Sequence, residues 1–143
     1  MKTIQSILIL VISSFAFVAC SENDDTEGPK VIIELPTDDT QYNYGDVIFL
    51  RLNIEDKGGI EKYKYSILPE DETGEKFTIE EEIIIPQYLT SFSNLTPIQV
   101  PSQPNSASFY DDGNYILKVT ATDFSKNQTV QQVRISISNE ETE

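Results

Sequence analysis

Hydrophobic and polar positions alternate with a period of two through most of the chain beyond residue 30. Asp46–Glu55 is the clearest case. Ile48, Leu50, Leu52 and Ile54 fall on one face, and Val47, Phe49, Arg51 and Asn53 on the other. That period belongs to a strand with one buried side. Lys30–Leu35 reads as a first strand, stopped by Pro36. Ile60–Leu68 alternates Tyr63, Tyr65 and Ile67 against Lys62, Lys64 and Ser66. Phe77–Ile85 is strand-like, although the Glu80-Glu81-Glu82 triplet in its middle also suits the start of a short helix. Tyr115–Thr122 turns Tyr115, Leu117, Val119 and Ala121 inward, and Thr129–Ser138 puts Val133, Ile135 and Ile137 on one face.

Turn signals separate these runs. Thr37–Gly45 is polar and turn-rich, Asp56-Lys57-Gly58-Gly59 reads as a tight turn, and Pro69–Lys76 is an acidic turn around Gly74. Asp111–Asn114 and Asp123–Asn127 read as two more turns. Pro86–Pro104 is a long irregular stretch in which a short strand at Thr96–Val100 is expected. About seven strands with no helix in the mature chain predict an all-β fold, an immunoglobulin-like antiparallel β-sandwich over residues 30–139. Asp112-Gly113-Asn114-Tyr115 fits the pattern of a tyrosine corner, in which the Tyr115 hydroxyl bonds back to the backbone. The plainer alternative is a turn glycine followed by a core tyrosine.

The first residues obey a different pattern. Lys2 precedes an apolar run, Ile4–Val18, too short for the ~20 residues of a spanning helix. The run ends in Phe17-Val18-Ala19-Cys20, and Cys20 is the only cysteine. Residues 1–19 read as a secretory signal, and their ending resembles the lipobox of bacterial lipoproteins. That resemblance implies lipidation of Cys20 on sulfur, cleavage before it and acylation of the new N-terminus. Phe17 stands where the pattern prefers Leu. Residues 20–29 are polar and acidic and read as a tether, and residues 140–143 as a frayed tail. Acidic residues just after Cys20 also resemble a surface-export signal of Bacteroidetes lipoproteins. The expected location is therefore the outer membrane, with the domain on the cell surface.

Charge and composition narrow the chemistry. The net charge is −14, from 24 acidic and 10 basic residues, which disfavours nucleic acid and anionic lipid as partners. There is no histidine, and with Cys20 lipidated no thiol remains for a disulfide or a thiolate metal site. Catalysis would need paired carboxylates. Many pairings can be drawn among the acidic residues and none stands out, so no enzyme activity is expected.

The mature chain also resembles an uncharacterised family of Bacteroidetes lipoproteins, a domain of unknown function. The resemblance is carried by Pro29–Pro36, Tyr44-Gly45-Asp46, Asp56–Ile60 and Gly113–Asp123. It implies one immunoglobulin-like sandwich on a lipid anchor and no established activity. Members often carry histidines in mid-domain. This chain has none, so no His-dependent role transfers.

Two candidate sites remain. The first is for Ca²⁺, at Asp56, Asp111 and Asp112, on the expectation that the strand before Asp56 and the strand after Asp112 run oppositely. On that expectation Asp123 lies at the far end, beside Asp46. The competing reading is that turn aspartates cap their own backbone amides. The second is a contact loop carrying Tyr88 and Phe92, for an envelope protein or an extracellular glycan. The expected function is a non-catalytic binding or accessory module, with a calcium-stabilised adhesion-type domain as the alternative. No cofactor is expected beyond the covalent lipid, unless Ca²⁺ binds.

Overall fold

The computed structural model describes residues 25–103 and 110–139. The expected signal segment 1–19, the expected lipidation residue Cys20, the expected tether as far as Asp24 and the tail 140–143 lie outside the described residues. Six strands follow in order: β1 (Lys30–Leu35), β2 (Thr40–Asn43), β3 (Val47–Pro69), β4 (Ile79–Gln99), β5 (Gly113–Asp123) and β6 (Gln128–Ser138).

β3 and β4 are long because each serves both layers of the sandwich. β1 and the second half of β4 flank the first half of β3, with Val31 opposite Ile54 and Leu50 opposite Thr96. The second half of β3 lies between the first half of β4 and β5, with Tyr63 opposite both Ile83 and Ala121. β6 then pairs antiparallel with β5, and β2 pairs parallel with β6. Every other contact in the ladders is antiparallel, and the result is an immunoglobulin-like antiparallel β-sandwich.

The alternation seen in the sequence is the core. Ile48, Leu50, Leu52 and Ile54 from one layer meet Tyr63, Ile67, Leu117, Val119, Ile135 and Ile137 from the other, all fully buried. The glutamate triplet lies in a strand after all. Glu80 and Glu82 reach Lys64 and Lys62 across the ladder at 2.6 and 2.9 Å, and Glu81 accepts the Tyr65 hydroxyl. Burial, then that bond, pushes the Tyr65 pKa upward.

Three stretches differ from their sequence reading. Asp56–Gly59 is not a tight turn but the crossing point of a continuous β3, marked by a register break between Glu55 and Ile60. Thr40–Asn43, read as turn, is β2. Pro86–Leu95, read as irregular, continues β4, which pairs with β3 from Ser91 to Gln99 and takes in the strand expected at Thr96–Val100 as far as Gln99. β4 is paired only with β3, so Pro86 and Pro97 remove no ladder donor that a second neighbour would need. Its Ser, Thr and Asn residues mask an edge strand.

Candidate functional site

The β5–β6 hairpin turn packs on the β3 crossing, and the Phe124 N–H donates to the Gly59 carbonyl at 3.2 Å. Asp123, fully buried, opens the turn. Its carboxylate accepts the Asn127 N–H and the Asn127 Nδ2, each at 2.8 Å. Asn127 Nδ2 also donates to the Asp25 carbonyl at 2.7 Å, which fixes the incoming chain against the same turn. Asp25, Asp56 and Asp123 thereby offer carboxylate oxygens that all lie within 4.8 Å of one another. Gly58 provides the space, since a Cβ there would strike the Asp25 carboxylate.

The cluster is electrostatically uncompensated. Asp56 Oδ1 is buried and has no hydrogen-bond partner among the described residues. Leaving one such atom unpaired costs about 1–3 kcal/mol. Burial raises the Asp56 pKa above its ordinary value, and the charges of Asp25 and Asp123 add to the rise against the opposing Gly58 and Gly59 amides. Three hard oxygen donors with no nitrogen or sulfur suit Ca²⁺ better than zinc or copper. Asp25 and Asp56 of the cluster line an open cleft of about 580 Å³ with Glu27, Lys30, Glu55 and Lys57, and Asp123 lies buried behind them.

This grouping corrects the expected one. Asp111 and Asp112 are at the opposite end and act on backbone. Asp111 accepts the Glu75 N–H at 2.8 Å, and Asp112 accepts the Asn139 N–H at 2.9 Å and its Nδ2 at 2.8 Å. The error was one of strand direction. The second half of β3 runs antiparallel to the first, and β5 runs antiparallel to that second half. β5 therefore parallels the first half of β3, and its end, Asp123, comes beside Asp56, with Ile60 opposite Asp123 in the ladder. Asp25 had no local signal, because its part in the cluster depends on where the incoming chain lies.

At that opposite end Tyr115 is fully buried and stacked on Phe77, with centroids 4.7 Å apart. Its buried hydroxyl, in the position expected of a tyrosine corner after Asp112 and Gly113, adjoins the Tyr44 hydroxyl and the Phe77 backbone. Tyr44 donates its own hydroxyl to the Asp111 carbonyl at 2.8 Å. Burial raises the pKa of Tyr44, and the adjoining Tyr115 raises it further.

The two expected contact residues part company. Tyr88 is 62% exposed, stacked on Phe124 at 5.5 Å and 18°. Its hydroxyl donates to the Lys57 carbonyl at 3.2 Å. Phe92 instead turns inward onto Tyr63, 5.6 Å away, and is half-buried. The β3–β4 register breaks between them, so strand parity does not carry from one to the other.

A second exposed apolar surface lies on the outer face of the β1–β3–β4 layer. Phe49 (51% exposed) stands opposite Pro97, and Leu95 (46% exposed) stands two inter-strand pairs further on and on the same face, opposite Arg51. Val47 and Ile32 extend the row.

Residues 18–138 match the family described as a domain of unknown function, DUF4625. The chain belongs to this family. No curated protein matches this DUF4625 chain in sequence. Among solved structures it is similar to the fibronectin(III)-like modules of Clostridium thermocellum CbhA, at 15% identity and a TM-score of 0.49, covering 76% of this chain and 94% of that one. It is also similar to CopC from Methylosinus trichosporium OB3b, at 14% identity and 0.47, covering 80% and 98%. A third is the PmoD soluble domain of Methylocystis sp. ATCC 49242 (Rockwell), at 18% identity and 0.38, covering 77% and 89%.

Proposed function

We propose that this DUF4625 chain is a lipid-anchored outer-membrane lipoprotein, displayed at the cell surface. Its sandwich acts as a non-catalytic binding or accessory module for an envelope protein or a glycan. The supporting observation is the row of Phe49, Leu95, Val47 and Ile32 on the outer face of one layer. Contiguous exposed apolar side chains rimmed by polar ones are characteristic of interaction surfaces. A flat apolar face favours a protein partner, and a glycan would use the exposed aromatics by stacking.

The test is capture from intact envelopes by the full-length lipoprotein and by a Phe49→Ser/Leu95→Ser variant that keeps the wild-type melting temperature. A defined partner held by the wild type and released by the variant supports the reading. Equal capture by both, or none by either, removes it. Cys20→Ala should move the protein from the membrane to the soluble fraction, and proteolysis of whole cells should shave the wild-type domain.

A second reading is a calcium-stabilised domain. It draws on the three converging carboxylates and the unpartnered Asp56 Oδ1, with Asp25, Asp56 and Asp123 as the residues that would hold the ion. Bound Ca²⁺ would supply the positive charge that the cluster lacks. Melting in millimolar Ca²⁺ against chelator tests it, and an unchanged midpoint would rule it out.

A further inference from the structure

The stacked pair Tyr88–Phe124 is the most exposed aromatic surface among the described residues whose place relative to the tether is fixed. One dipeptide of β3 joins the two features. A Cβ at Gly58 would strike the Asp25 carboxylate, and a Cβ at Gly59 would strike the Tyr88 ring. Phe124 is hydrogen-bonded to the same Gly59. Asp25 is itself held in place through its carbonyl by Asn127. The chain from Cys20 to Asp25 is five residues, a span of at most ~17 Å when fully extended. The aromatic pair therefore sits at the end of the sandwich that a lipid on Cys20 would hold nearest the bilayer. The other end, at Val47, is about 26 Å further along the first half of β3 at the rise of a strand.

We infer that Tyr88 and Phe124 form a membrane-contact surface that seats this end of the domain in the headgroup region of a zwitterionic bilayer. The inference rests on the lipid-anchored reading proposed above. The residue types fit the position. Aromatic rings with an apolar body are favoured at the boundary between hydrocarbon and water, and Tyr adds a polar tip. Charge selects the lipid class. Around the adjoining cleft Asp25, Glu27, Glu55 and Asp56 outnumber Lys30 and Lys57 and repel an anionic surface, whereas the cationic groups of zwitterionic headgroups meet them favourably. The contact would hold the domain upright on its tether and leave the Phe49–Leu95 face clear for a partner.

The test uses the chain from Cys20 to Glu143, coupled through its only thiol to maleimide-bearing phosphatidylcholine vesicles. The chemical anchor makes the result independent of whether cells lipidate Cys20, which fractionation of Cys20→Ala decides separately. The chain has no tryptophan, so Phe124→Trp reports this end and Val47→Trp the far end. After coupling, Phe124→Trp emission should shift to the blue and be quenched several-fold more by brominated lipid than that of Val47→Trp. Adding Tyr88→Ser should reduce that quenching while leaving the melting temperature within a few degrees. Equal quenching of the two reporters, or no quenching of Phe124→Trp, would overturn the inference. So would stronger quenching on phosphatidylglycerol vesicles than on phosphatidylcholine.

Discussion

Asp56→Asn should act in opposite directions with and without a divalent cation. In the wild type the three carboxylates lie within 4.8 Å. At that separation two unit charges repel by about 0.9 kcal/mol in bulk water and about 3.5 kcal/mol at an effective dielectric of 20. Asp56 is partly exposed and faces two such neighbours. Solvent screening and partial protonation therefore keep the total near the lower figure, so removing its charge should stabilise the cation-free domain by about 1–2 kcal/mol. For a domain of this size that is about 4–10 °C in melting temperature. With Ca²⁺ at about a hundred times its Kd, the wild type should gain ~2.7 kcal/mol by mass action. The variant, lacking a ligand charge, should gain little.

The assay is thermal unfolding followed by circular dichroism at pH 7, in chelator and in millimolar Ca²⁺. The pH dependence supplies an independent sign. The Asp56 pKa is raised in the folded state, so the folded protein binds the proton more tightly than the unfolded chain. That contribution to stability is complete below the unfolded pKa and is lost as pH rises through the folded one. The wild type in chelator should therefore lose stability on going from mildly acid to neutral pH, and Asp56→Asn should lack that slope. A variant less stable than wild type in chelator, with the slope unchanged, would refute the electrostatic account of the cluster.

Other substitutions test the fold around the site. Leu50→Ala, at a fully buried position, should cost about 2–5 kcal/mol in chemical denaturation, while Phe49→Ala next to it should change stability by less than about 0.5 kcal/mol. Gly59→Ala should lower stability by more than about 1 kcal/mol, because φ is +88° and the Tyr88 ring occupies the Cβ position. Adding Tyr88→Ala should recover the steric part of that loss and not the backbone part. Lys126 holds φ at +72° in the β5–β6 turn, so Lys126→Gly should relieve about 1 kcal/mol of backbone strain, offset by loss of the pair with part-buried Glu61, whereas Lys126→Ala should lose the pair and keep the strain and so be the less stable of the two.

The core was legible because each strand has one wet face. Ile48 to Ile54 and Tyr115 to Ala121 declare their burial in the sequence, and the structure keeps both runs. β4 was less legible for the converse reason. Along Ser91–Gln99 it has a neighbour on one side only, so its solvent positions carry Ser, Asn and Pro, residues that by composition describe a loop. The β3 crossing was hidden by Gly58-Gly59. The pair signals a reversal within one sheet, yet here the chain reverses while carrying its pairing with β4 across from one layer to the other.

The acidic cluster shows what a pattern of residues lacks until strand directions are fixed. Asp56, Asp111, Asp112 and Asp123 are equivalent as turn aspartates in the sequence. Only the parity of two antiparallel steps decides which of them meet. One step too few places Asp56 with Asp111, and the correct count places it with Asp123. Once Asp123 is placed, Asn127 follows, because its side chain caps that carboxylate and holds the Asp25 carbonyl together. The link from hairpin turn to tether then joins three features. The unpaired charge, the exposed aromatic pair and the point where the tether meets the sandwich occupy one end. A cation bound there would neutralise the repulsion that works to lift the Asp25 carboxylate from its place against Gly58, and would so hold the tether short where Tyr88 and Phe124 are proposed to meet the bilayer. Stability in Ca²⁺ and quenching of Phe124→Trp should therefore rise together in the wild-type cluster, and Asp56→Asn should uncouple them.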